Sequence, residues 1–389
     1  MRVFICTDNQ FPEGNADSNY IRYLALSIQN AGCEVIVVGS GVNRSQDYDG
    51  KKYSYRGIEY YNTKKAKDRI LFHLEPTLTC GKEHLQYMGM KGLNSKDYVV
   101  MYTSLFRLHK LLFDSNLIPH NHIICTSVEW MQPMLYRFGR FNPSYQLREY
   151  VINKYTRLCG KVITISQKLS ERFIKNGCTT LIVPMLTETT EYKKLVSMQN
   201  TIKFIYPGAA FKKDKITSIV EAVPLLEEEI CKRVEIHFTG MKKEALSNEL
   251  GDNKWILDKF ASVFVFHGWL EYQDLLNLYN EIDCLLLPRE ENQFTTANFP
   301  SKVPELMRYG VIPVCSDVGD YTKLYLEDKI DSLIFCGGQP IDCANAIKRV
   351  CNLNPEELLE LKERVVKSAE EKFDFRKWSN RIVNFIMSN

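Results

Sequence analysis

The loop 206–215 has the residue types of a phosphate-binding loop. Gly208 permits a close approach to the backbone, and Lys212 and Lys213 follow it where a predicted strand gives way to a predicted helix. Basic side chains and backbone amides at such a junction could together hold a phosphate group. A lysine loop that contacts only solvent is the alternative, because charged loops commonly have no other role.

A second candidate anion site lies in segment 286–310, which predicts a strand, a polar loop and a helix in that order. We expect the helix to begin near Ser301, with Pro304 in its first turn, where proline is tolerated. Loop amides, the positive end of the helix, Lys302 and Arg289 would then face a cleft between two domains. This arrangement suits a diphosphate.

Glu305 lies one turn into the same predicted helix, where a carboxylate would repel a phosphate. Two vicinal hydroxyl groups of a ribose can both donate to one carboxylate, so a sugar diol is its natural partner. The alternative is that Ser301, Lys302 and Glu305 only start and charge a surface helix.

The composition is that of an ordinary folded protein. Of the 389 residues, 45% are hydrophobic and 25% are charged, which excludes a disordered, collagen-like or coiled-coil chain. The net charge of +3, from 50 basic and 47 acidic residues, is too small to indicate a nucleic-acid partner. The 12 cysteines have no C-x-x-C spacing and are expected to be reduced thiols rather than zinc ligands.

Short apolar runs alternate with amphipathic stretches in both halves of the chain, which predicts parallel strands joined by right-handed helical crossovers. The predicted fold class is α/β, with two Rossmann-like, doubly wound parallel-sheet domains that face each other across a cleft. Segment 43–95 predicts an antiparallel excursion with exposed loops. The predicted domains are 1–190 and 200–374, joined by a polar linker at 187–201, and a final helix at about 375–389 packs back on the first domain.

Four motifs of the second half, in this order, resemble the donor half of retaining glycosyltransferases of the GT-B fold, in particular glycosyltransferase family 4. The loop from Thr7 to Gly14 and the segment Ile163 to Ser166 look like the acceptor half of that family. The four motifs are Gly208 to Asp214, Phe266-His267-Gly268-Trp269-Leu270, Ile282 to Pro288, and Phe299-Pro300-Ser301-Lys302 with Glu305 and Gly310.

The resemblance assigns roles to individual residues. It implies that Lys213, or its neighbour Lys212, grips the diphosphate, that the loop after Phe266-His267-Gly268 contacts the base, and that Glu305 holds the ribose. With Lys302 as the second phosphate ligand, the implied donor site comprises Gly208, Lys212, Lys213, His267, Gly268, Trp269, Arg289, Asn298, Phe299, Pro300, Ser301, Lys302 and Glu305.

One position departs from the family pattern. The first glutamate of the family's Glu-x7-Glu motif, which contacts the transferred sugar, falls on Ala297. Either amides near Asn298 and Phe299 hold the sugar, or Glu290 or Glu291 substitutes, or the motif has decayed.

The acceptor side is expected around two segments of the first half. Glu129 follows a predicted strand and could bind a hydroxyl group of the acceptor or of the donor sugar, with Trp130 as a flat face for a sugar ring. An ordinary carboxylate at a helix start is the alternative for Glu129. The resemblance also places Gly14 and Asn15 on the acceptor side.

The predicted function is transfer of a sugar from a nucleoside diphosphate, UDP or GDP, to an acceptor hydroxyl with retention, in polysaccharide or glycolipid biosynthesis. Lys213, Lys302 and Glu129 are the predicted catalytic residues. No cofactor or metal is expected, since Asp47-Tyr48-Asp49 is interpreted as a solvated turn. A nucleotide-sugar epimerase and a catalytically silent nucleotide-sugar scaffold are the alternatives.

The acceptor is expected to be a carbohydrate or a lipid-linked glycan. Basic and aromatic residues between 51 and 69 could rest on anionic lipid, although a solvated surface is the alternative. The sequence shows no export signal and no stretch of about 18 apolar residues. It therefore predicts a cytoplasmic protein that could contact the inner face of the membrane.

Overall fold

A computed structural model describes residues 1–13, 15–41, 53–64, 81–102, 106–189, 201–208 and 213–388. The chain divides into two compact units. The first contains Met1–Leu186 with Phe375–Asn389, and the second contains Thr187–Asp374.

The first unit is built on a sheet whose strands run parallel except for one edge strand. Among the described strands the order is β3-β4-β2-β1-β5-β6-β7-β8, and only β3 pairs with its neighbour in the antiparallel sense. The strands are β1 (Arg2–Thr7), β2 (Glu34–Gly41), β3 (Tyr53–Tyr55), β4 (Ile58–Lys64), β5 (Tyr98–Tyr102), β6 (Ile123–Ser127), β7 (Lys161–Thr164) and β8 (Thr179–Ile182).

Local sequence signals start and stop the helices of this unit. Asn15 caps α1, since its side chain accepts a hydrogen bond from the Ser18 amide at 3.0 Å. Gly32 follows this helix with a φ of +86°, a backbone conformation that favours glycine. The helices are α1 (Ala16–Asn30), α2 (Lys82–Met90), α3 (Phe106–Ser115), α4 (Pro143–Val151), α5 (Arg157–Cys159) and α6 (Gln167–Lys175).

The C-terminal helix belongs to the first unit. The Ser27 hydroxyl of α1 donates to the carbonyl of Phe375 at 3.0 Å, and Asn30 donates to Ser379 at 3.1 Å. The buried Lys161 ammonium donates to the carbonyl of Ile386 at 2.8 Å. The C-terminal helix therefore packs against α1 and Lys161 of the first unit.

The second unit contains an all-parallel sheet with the order β11-β10-β9-β12-β13-β14. Its central strands are buried, and Phe204, Ile205 and Leu286 are fully inaccessible to solvent. Burial on both faces is what parallel sheets between helices require. The strands are β9 (Ile202–Pro207), β10 (Val234–Thr239), β11 (Phe264–Gly268), β12 (Cys284–Leu287), β13 (Ile312–Ser316) and β14 (Leu333–Phe335).

The helices of the second unit follow the sequence signals closely. A capping box of Asn354 and Glu357 starts the longest of them, with Pro355 in its first turn. The helices are α7 (Ile216–Ala222), α8 (Glu228–Cys231), α9 (Lys243–Leu250), α10 (Ile256–Lys259), α11 (Tyr272–Tyr279), α12 (Gln293–Thr296), α13 (Lys302–Met307), α14 (Pro340–Cys351) and α15 (Pro355–Phe373), and α16 (Phe375–Met387) is the C-terminal helix of the first unit.

The start of the predicted linker is ordered structure of the second unit. The Thr189 amide and hydroxyl both donate to one carboxylate oxygen of Asp374, at 2.9 and 2.5 Å, and the Thr187 amide donates to the carbonyl of Phe373. Residues 190–200 lie outside the described part. The first residues of the second unit are thus hydrogen-bonded to its last residues.

Each sheet has one point at which its strand order reverses. In the first sheet it lies between β1 and β5, and in the second between β9 and β12. The crevice beyond the carboxyl ends of the strands at such a point is the usual ligand position in doubly wound folds. Both candidate sites described below begin there.

Candidate active site

A buried ion cluster lies where β9 and β12 end. Asp214 is the centre of the cluster, with one carboxylate oxygen 2.8 Å from Nε of Arg289 and the other 2.8 Å from Nζ of Lys302. The Tyr206 hydroxyl donates to Asp214 at 2.6 Å and lies 3.0 Å from Nζ of Lys302. The Asp214 side chain is fully buried and that of Arg289 is 3% exposed, whereas that of Lys302 is 18% exposed.

The cluster has a fixed distribution of charge. Burial alone would raise the pKa of Asp214, but the charges of Arg289 and Lys302 outweigh it and hold the pKa of this carboxyl below its usual range. Burial lowers the pKa of Lys302, and the Asp214 carboxylate opposes that effect. Asp214 is therefore ionised near neutral pH and orients both cations.

Gly208 and Lys213 lie beside this cluster. Gly208 has a φ of +103°, and a Cβ atom at this position would lie 3.6 Å from Cε and 3.9 Å from Nζ of Lys302. Lys213 places its ammonium 4.9 Å from the ring centre of Phe294 and helps to lower the pKa of Lys302. Three cations and one carboxylate give the group a net charge of +2. Lys212 lies outside the described residues.

In the loop before α13, the side chains of Asn298 and Phe299 are buried, and one of them contacts the cluster. Asn298 is 9% exposed, and its side-chain oxygen accepts a hydrogen bond from Arg289 at 3.4 Å. Phe299 is 3% exposed and packs against Tyr321, Tyr325 and Phe373. The Phe299 side chain is therefore a core residue rather than part of an open donor surface.

The helix of the Ser-Lys motif is shorter than expected from its residues. α13 spans six residues, and Ser301 at its start has helical dihedral angles and no side-chain capping bond, with buried Pro300 before it. A helix of this length adds little electrostatic field, so the positive charge at this edge comes mainly from the lysine and arginine side chains. Glu305 lies three residues after Lys302 and thus on the same side of α13.

The position of the missing glutamate is closed to solvent. Ala297 is fully buried at the end of α12. Of the two suggested substitutes, Glu290 forms an ion pair with Lys215 at 2.8 Å, and Glu291 is exposed.

A histidine pair lies on β10 and β11. His267 Nε2 is 2.9 Å from Nδ1 of His237, whose Nε2 is 3.3 Å from the Glu235 carboxylate. Because an ionised carboxylate only accepts hydrogen bonds, neutral His237 donates to Glu235 and accepts from His267. Burial lowers the pKa of both imidazoles, which favours this neutral state. Nδ1 of His267 is then a hydrogen-bond acceptor.

β11 ends at the half-buried Gly268, and the next residue, Trp269, is exposed. Gly268 has a φ of +64°, and its carbonyl accepts a hydrogen bond from the Gly240 amide at 2.6 Å. The Trp269 side chain follows it and is 86% exposed. Trp269 therefore contributes little to the packing of the unit.

The first unit has a cavity of about 150 Å³ at the reversal point between β1 and β5. Glu129 lies in coil after β6, not at a helix start, and it lines this cavity together with Asp8 and Asp17. Asp17 accepts a hydrogen bond from the Tyr102 hydroxyl at 2.9 Å. The cavity thus presents several carboxylates, which are groups that bind sugar hydroxyls.

The remaining residues predicted for the acceptor side have structural partners. One face of Trp130 is covered by the Arg172 guanidinium, 4.7 Å from the ring centre. Asn15 caps α1 and donates to the side chain of Asn9 at 3.3 Å. Gly14 lies outside the described residues.

Comparison with known proteins places this architecture. Residues 201–352 match the family model described as Glycosyl transferases group 1, whereas no curated protein sequence matches the chain. Sucrose-phosphate synthase from Thermosynechococcus elongatus is similar over 98% of this chain and 96% of its own, with a TM-score of 0.72 and 12% identity. Anabaena HepE in complex with UDP-glucose is similar over 100% of both chains, with a TM-score of 0.69 and 14% identity. A glycosyltransferase from Rickettsia africae is similar over 100% of this chain and 99% of its own chain, with a TM-score of 0.67 and 11% identity.

The fold is GT-B. Its two parallel-sheet α/β units were predicted from the alternation of strands and helices, and that prediction is confirmed. The matched family segment contains the ion cluster of Asp214, Arg289 and Lys302. Within the described ranges, no three His, Cys, Asp or Glu side chains are grouped so that they could hold a metal ion. No helix of the described ranges has the length and hydropathy that a membrane span requires.

Sequence reasoning missed two residues of the second unit that the structure places in key positions. Asp214 belongs to the same predicted loop as Lys212 and Lys213. Nothing in the loop sequence shows that its carboxylate pairs with Arg289, 75 residues later. His237 had a signal, because Glu235, His237 and Thr239 alternate with apolar residues on β10 and so lie on one face.

The pKa of Asp214 predicts a dependence of stability on pH. Because its pKa is lower in the folded chain than in the unfolded chain, the folded state resists protonation, and stability is lost as the pH falls. We expect this contribution to be complete above about pH 5 and to decline below about pH 4, by up to about 1.4 kcal/mol per pH unit.

Urea unfolding of the wild-type chain and of Asp214→Asn between about pH 6 and pH 3 measures this contribution. The difference in unfolding free energy should shrink as the pH falls. Asp258→Asn, which alters an exposed ion pair with Lys243, is the control and should give a small difference at every pH. A constant difference between wild type and Asp214→Asn would show that folding does not lower the pKa of Asp214.

Proposed function

We propose that the chain transfers a glycosyl group from a nucleoside diphosphate sugar to an acceptor hydroxyl. The observation that carries the proposal is the net positive cluster of Lys213, Arg289, Lys302 and Asp214 at the strand-order reversal of the second sheet. The family match over residues 201–352 supports it, as does the similarity to HepE, a protein that was solved with UDP-glucose.

The cluster suits the chemistry of the leaving group. As the bond between the anomeric carbon and the phosphate oxygen breaks, the diphosphate gains negative charge and the sugar ring gains positive charge. Lys302 is held in place by Asp214 and Tyr206, so its ammonium needs little reorganisation as the charge develops. Lys213 adds a second positive charge nearby, and we assign both lysines to the diphosphate.

The other donor contacts follow from the positions of the residues. We assign Glu305 to the ribose diol and the backbone after His267 and Gly268 to the base, which we take to be that of UDP or GDP. The resemblance supports retention with attack on the face from which the phosphate leaves, whose oxygen accepts the proton of the acceptor hydroxyl. We propose that these cationic side chains supply the charge that a metal ion supplies in other sugar transferases.

We assign the acceptor to the cavity of the first unit. Glu129 and Asp8 line it and could accept hydrogen bonds from sugar hydroxyls. Arg148 also lines the cavity, and its buried Nε has no hydrogen-bond partner among the described residues. An acceptor oxygen would satisfy this donor. We propose a carbohydrate or lipid-linked glycan as acceptor, in polysaccharide or glycolipid synthesis in the cytoplasm or at the inner face of the membrane.

A ligand screen followed by a product assay tests the proposal. We expect UDP or GDP and one of their sugars to raise the melting temperature, since a ligand at 100 times its Kd adds about 2.7 kcal/mol of stability. Free nucleosides, which lack the diphosphate, are the control and should give a much smaller shift. Free nucleoside diphosphate should then be released only when an acceptor is present.

Other outcomes separate the alternatives. Interconversion of nucleotide sugars without release of nucleoside diphosphate would identify an epimerase. Binding of a nucleotide sugar without turnover, with glycan and lipid-linked acceptors, would identify a silent scaffold. No stabilisation by any nucleoside diphosphate would contradict the proposed donor site.

A further inference from the structure

An exposed apolar and basic surface lies in the first unit between β6 and α4. Its apolar tips are Met134, Phe138 and Phe141, whose exposed fractions are 84%, 71% and 79%. Arg137 and Arg140 alternate with them and are also exposed. We call these five residues the loop surface. Large exposed aromatic side chains grouped in this way mark an interaction site rather than ordinary solvent-facing surface.

The loop surface is a built structure. The Asn142 side chain donates to the carbonyl of Arg137 at 2.9 Å, and the Gln146 side chain donates to the carbonyl of Arg140 at 2.8 Å. The half-buried rings of Tyr136 and Tyr145 pack edge to face, with their centres 5.5 Å apart. These hydrogen bonds therefore fix the backbone of the loop, and its apolar side chains are exposed to solvent.

Phe138 is held in an unusual backbone conformation. Its φ is +71°, a left-handed region that bulky residues rarely adopt, and the following Gly139 also has a positive φ of +57°. The guanidinium of Arg137 lies 5.1 Å from the centre of the Phe138 ring. Strain of this kind at an exposed aromatic residue is typical of a functional position.

The charge of the segment indicates its partner. From Trp130 to Arg148 the chain contains three arginines and no acidic residue. The glutamate that follows, Glu149, is paired with Arg172 at 2.6 Å. Protruding aromatic tips with interspersed arginines fit an interface into which side chains insert. An anionic bilayer has this property, because apolar tips enter the acyl boundary while arginines contact the headgroups.

The two ends of the segment lead to the cavity of the first unit. Glu129 precedes the loop surface and Arg148 follows it, and both line that cavity. In contrast, the described tyrosines of the basic and aromatic segment 51–69 pack within the unit, where Tyr60 contacts Phe11 and Tyr61 stacks on Tyr87 at 4.6 Å. Exposed aromatic side chains therefore lie in the loop surface beside the cavity, whereas Tyr60 and Tyr61 of segment 51–69 contact other rings of the unit.

We propose that the loop surface docks the protein on an anionic lipid bilayer and so brings the cavity of the first unit to the membrane. The proposal rests on the function proposed above only in taking the acceptor to be lipid-linked. Vesicle binding needs no nucleotide sugar, so failure of the transferase proposal and failure of this one give different results.

Cosedimentation of the full chain with vesicles tests the proposal. We compare vesicles of phosphatidylcholine alone with vesicles that also contain phosphatidylglycerol. We expect binding to the anionic vesicles that weakens with added salt, because the arginine contribution is screened. Each arginine near an anionic surface contributes roughly fivefold to the partition coefficient. The double variant Arg137→Gln, Arg140→Gln should therefore bind about 30-fold more weakly.

A second double variant tests the apolar tips. Phe138→Ser with Phe141→Ser should lower the partition coefficient at least about tenfold, because two apolar rings no longer insert. Ile174→Ser with Lys175→Gln is the matched control, since Ile174 is 56% exposed on α6 of the same unit. Its vesicle binding should equal that of the wild type. Unchanged urea unfolding midpoints would show that each variant is folded.

Three results would overturn the proposal. One is failure of the wild-type chain to bind phosphatidylglycerol vesicles, and another is equal binding by the loop variants and the control. The third is a lipid-free dimer, detected by sedimentation velocity, that dissociates in Phe138→Ser with Phe141→Ser. That result would assign the loop surface to a second copy of the chain.

Discussion

Lys302→Met is expected to lower the rate of sugar transfer by a factor of about 10² to 10³ while the chain remains folded. Methionine keeps the unbranched apolar part of the side chain but removes the ammonium that lies 3.0 Å from the Tyr206 hydroxyl and 2.8 Å from Asp214. Stabilisation of the departing diphosphate is lost, whereas the carboxylate of Asp214 keeps Arg289 as its partner. The rate is measured as acceptor-dependent release of nucleoside diphosphate.

Binding measurements locate the effect of Lys302→Met at the phosphates. The affinity for the nucleoside diphosphate should fall, whereas the affinity for the free nucleoside should not change. Lys243→Met, which removes a lysine from an exposed ion pair with Asp258, is the matched control and should retain wild-type activity. Normal transfer by Lys302→Met would refute the assignment of this lysine to the diphosphate.

The fold of the chain was predictable because it depends on patterns that are local in the sequence. Uninterrupted apolar runs of five and four residues coincide with β5 (Tyr98–Tyr102) and β12 (Cys284–Leu287). The edge strand β8 was missed, since Thr179–Ile182 contains only two apolar residues. Strands at an edge need less apolar sequence, so periodicity detects them poorly.

The grouping of Gly208, Lys213 and Lys302 was also predictable. Gly208 and Lys213 follow β9, and Lys302 begins α13, the helix that comes after β12. Since β9 and β12 are neighbouring parallel strands, the segments that follow them meet at one edge of the sheet. What a loop residue does within the group was not predictable. Phe299 proved to be a core residue, because a loop has no periodicity that tells which way a side chain points. The prediction that the site residues bind a donor remains a prediction.

The pairing of charges in the cluster was the largest feature that the sequence did not reveal. Lys302 and Arg289 were both taken as cations for a diphosphate, but Asp214 contacts both, and Arg289 is only 2% exposed. The almost fully buried Arg289 side chain donates hydrogen bonds to Asp214 and Asn298, and its assignment to the donor stays a prediction. Side chains far apart in the chain meet only in the folded state, so spacing along the sequence cannot show their pairing.

Asp214→Asn is expected to lower the free energy of unfolding by about 3 to 5 kcal/mol, because it leaves buried cations without their counter-ion. The Arg289 side chain is only 3% exposed, so solvent replaces the lost carboxylate contact at 2.8 Å poorly, and Lys302 is largely buried as well. Urea unfolding at neutral pH measures the loss. Asp258→Asn in the exposed pair with Lys243 is the control, with an expected change of at most about 1 kcal/mol.

The same variant links the stability of the cluster to ligand binding. With Asp214 replaced, the net charge of the group of Lys213, Arg289 and Lys302 rises from +2 to +3, so an anion is attracted more strongly. A nucleoside diphosphate should therefore raise the melting temperature of Asp214→Asn by more than it raises that of the wild type, whereas a free nucleoside should show no such difference. If the diphosphate stabilises both proteins equally, the phosphates bind away from the cluster, even if the variant is destabilised as expected.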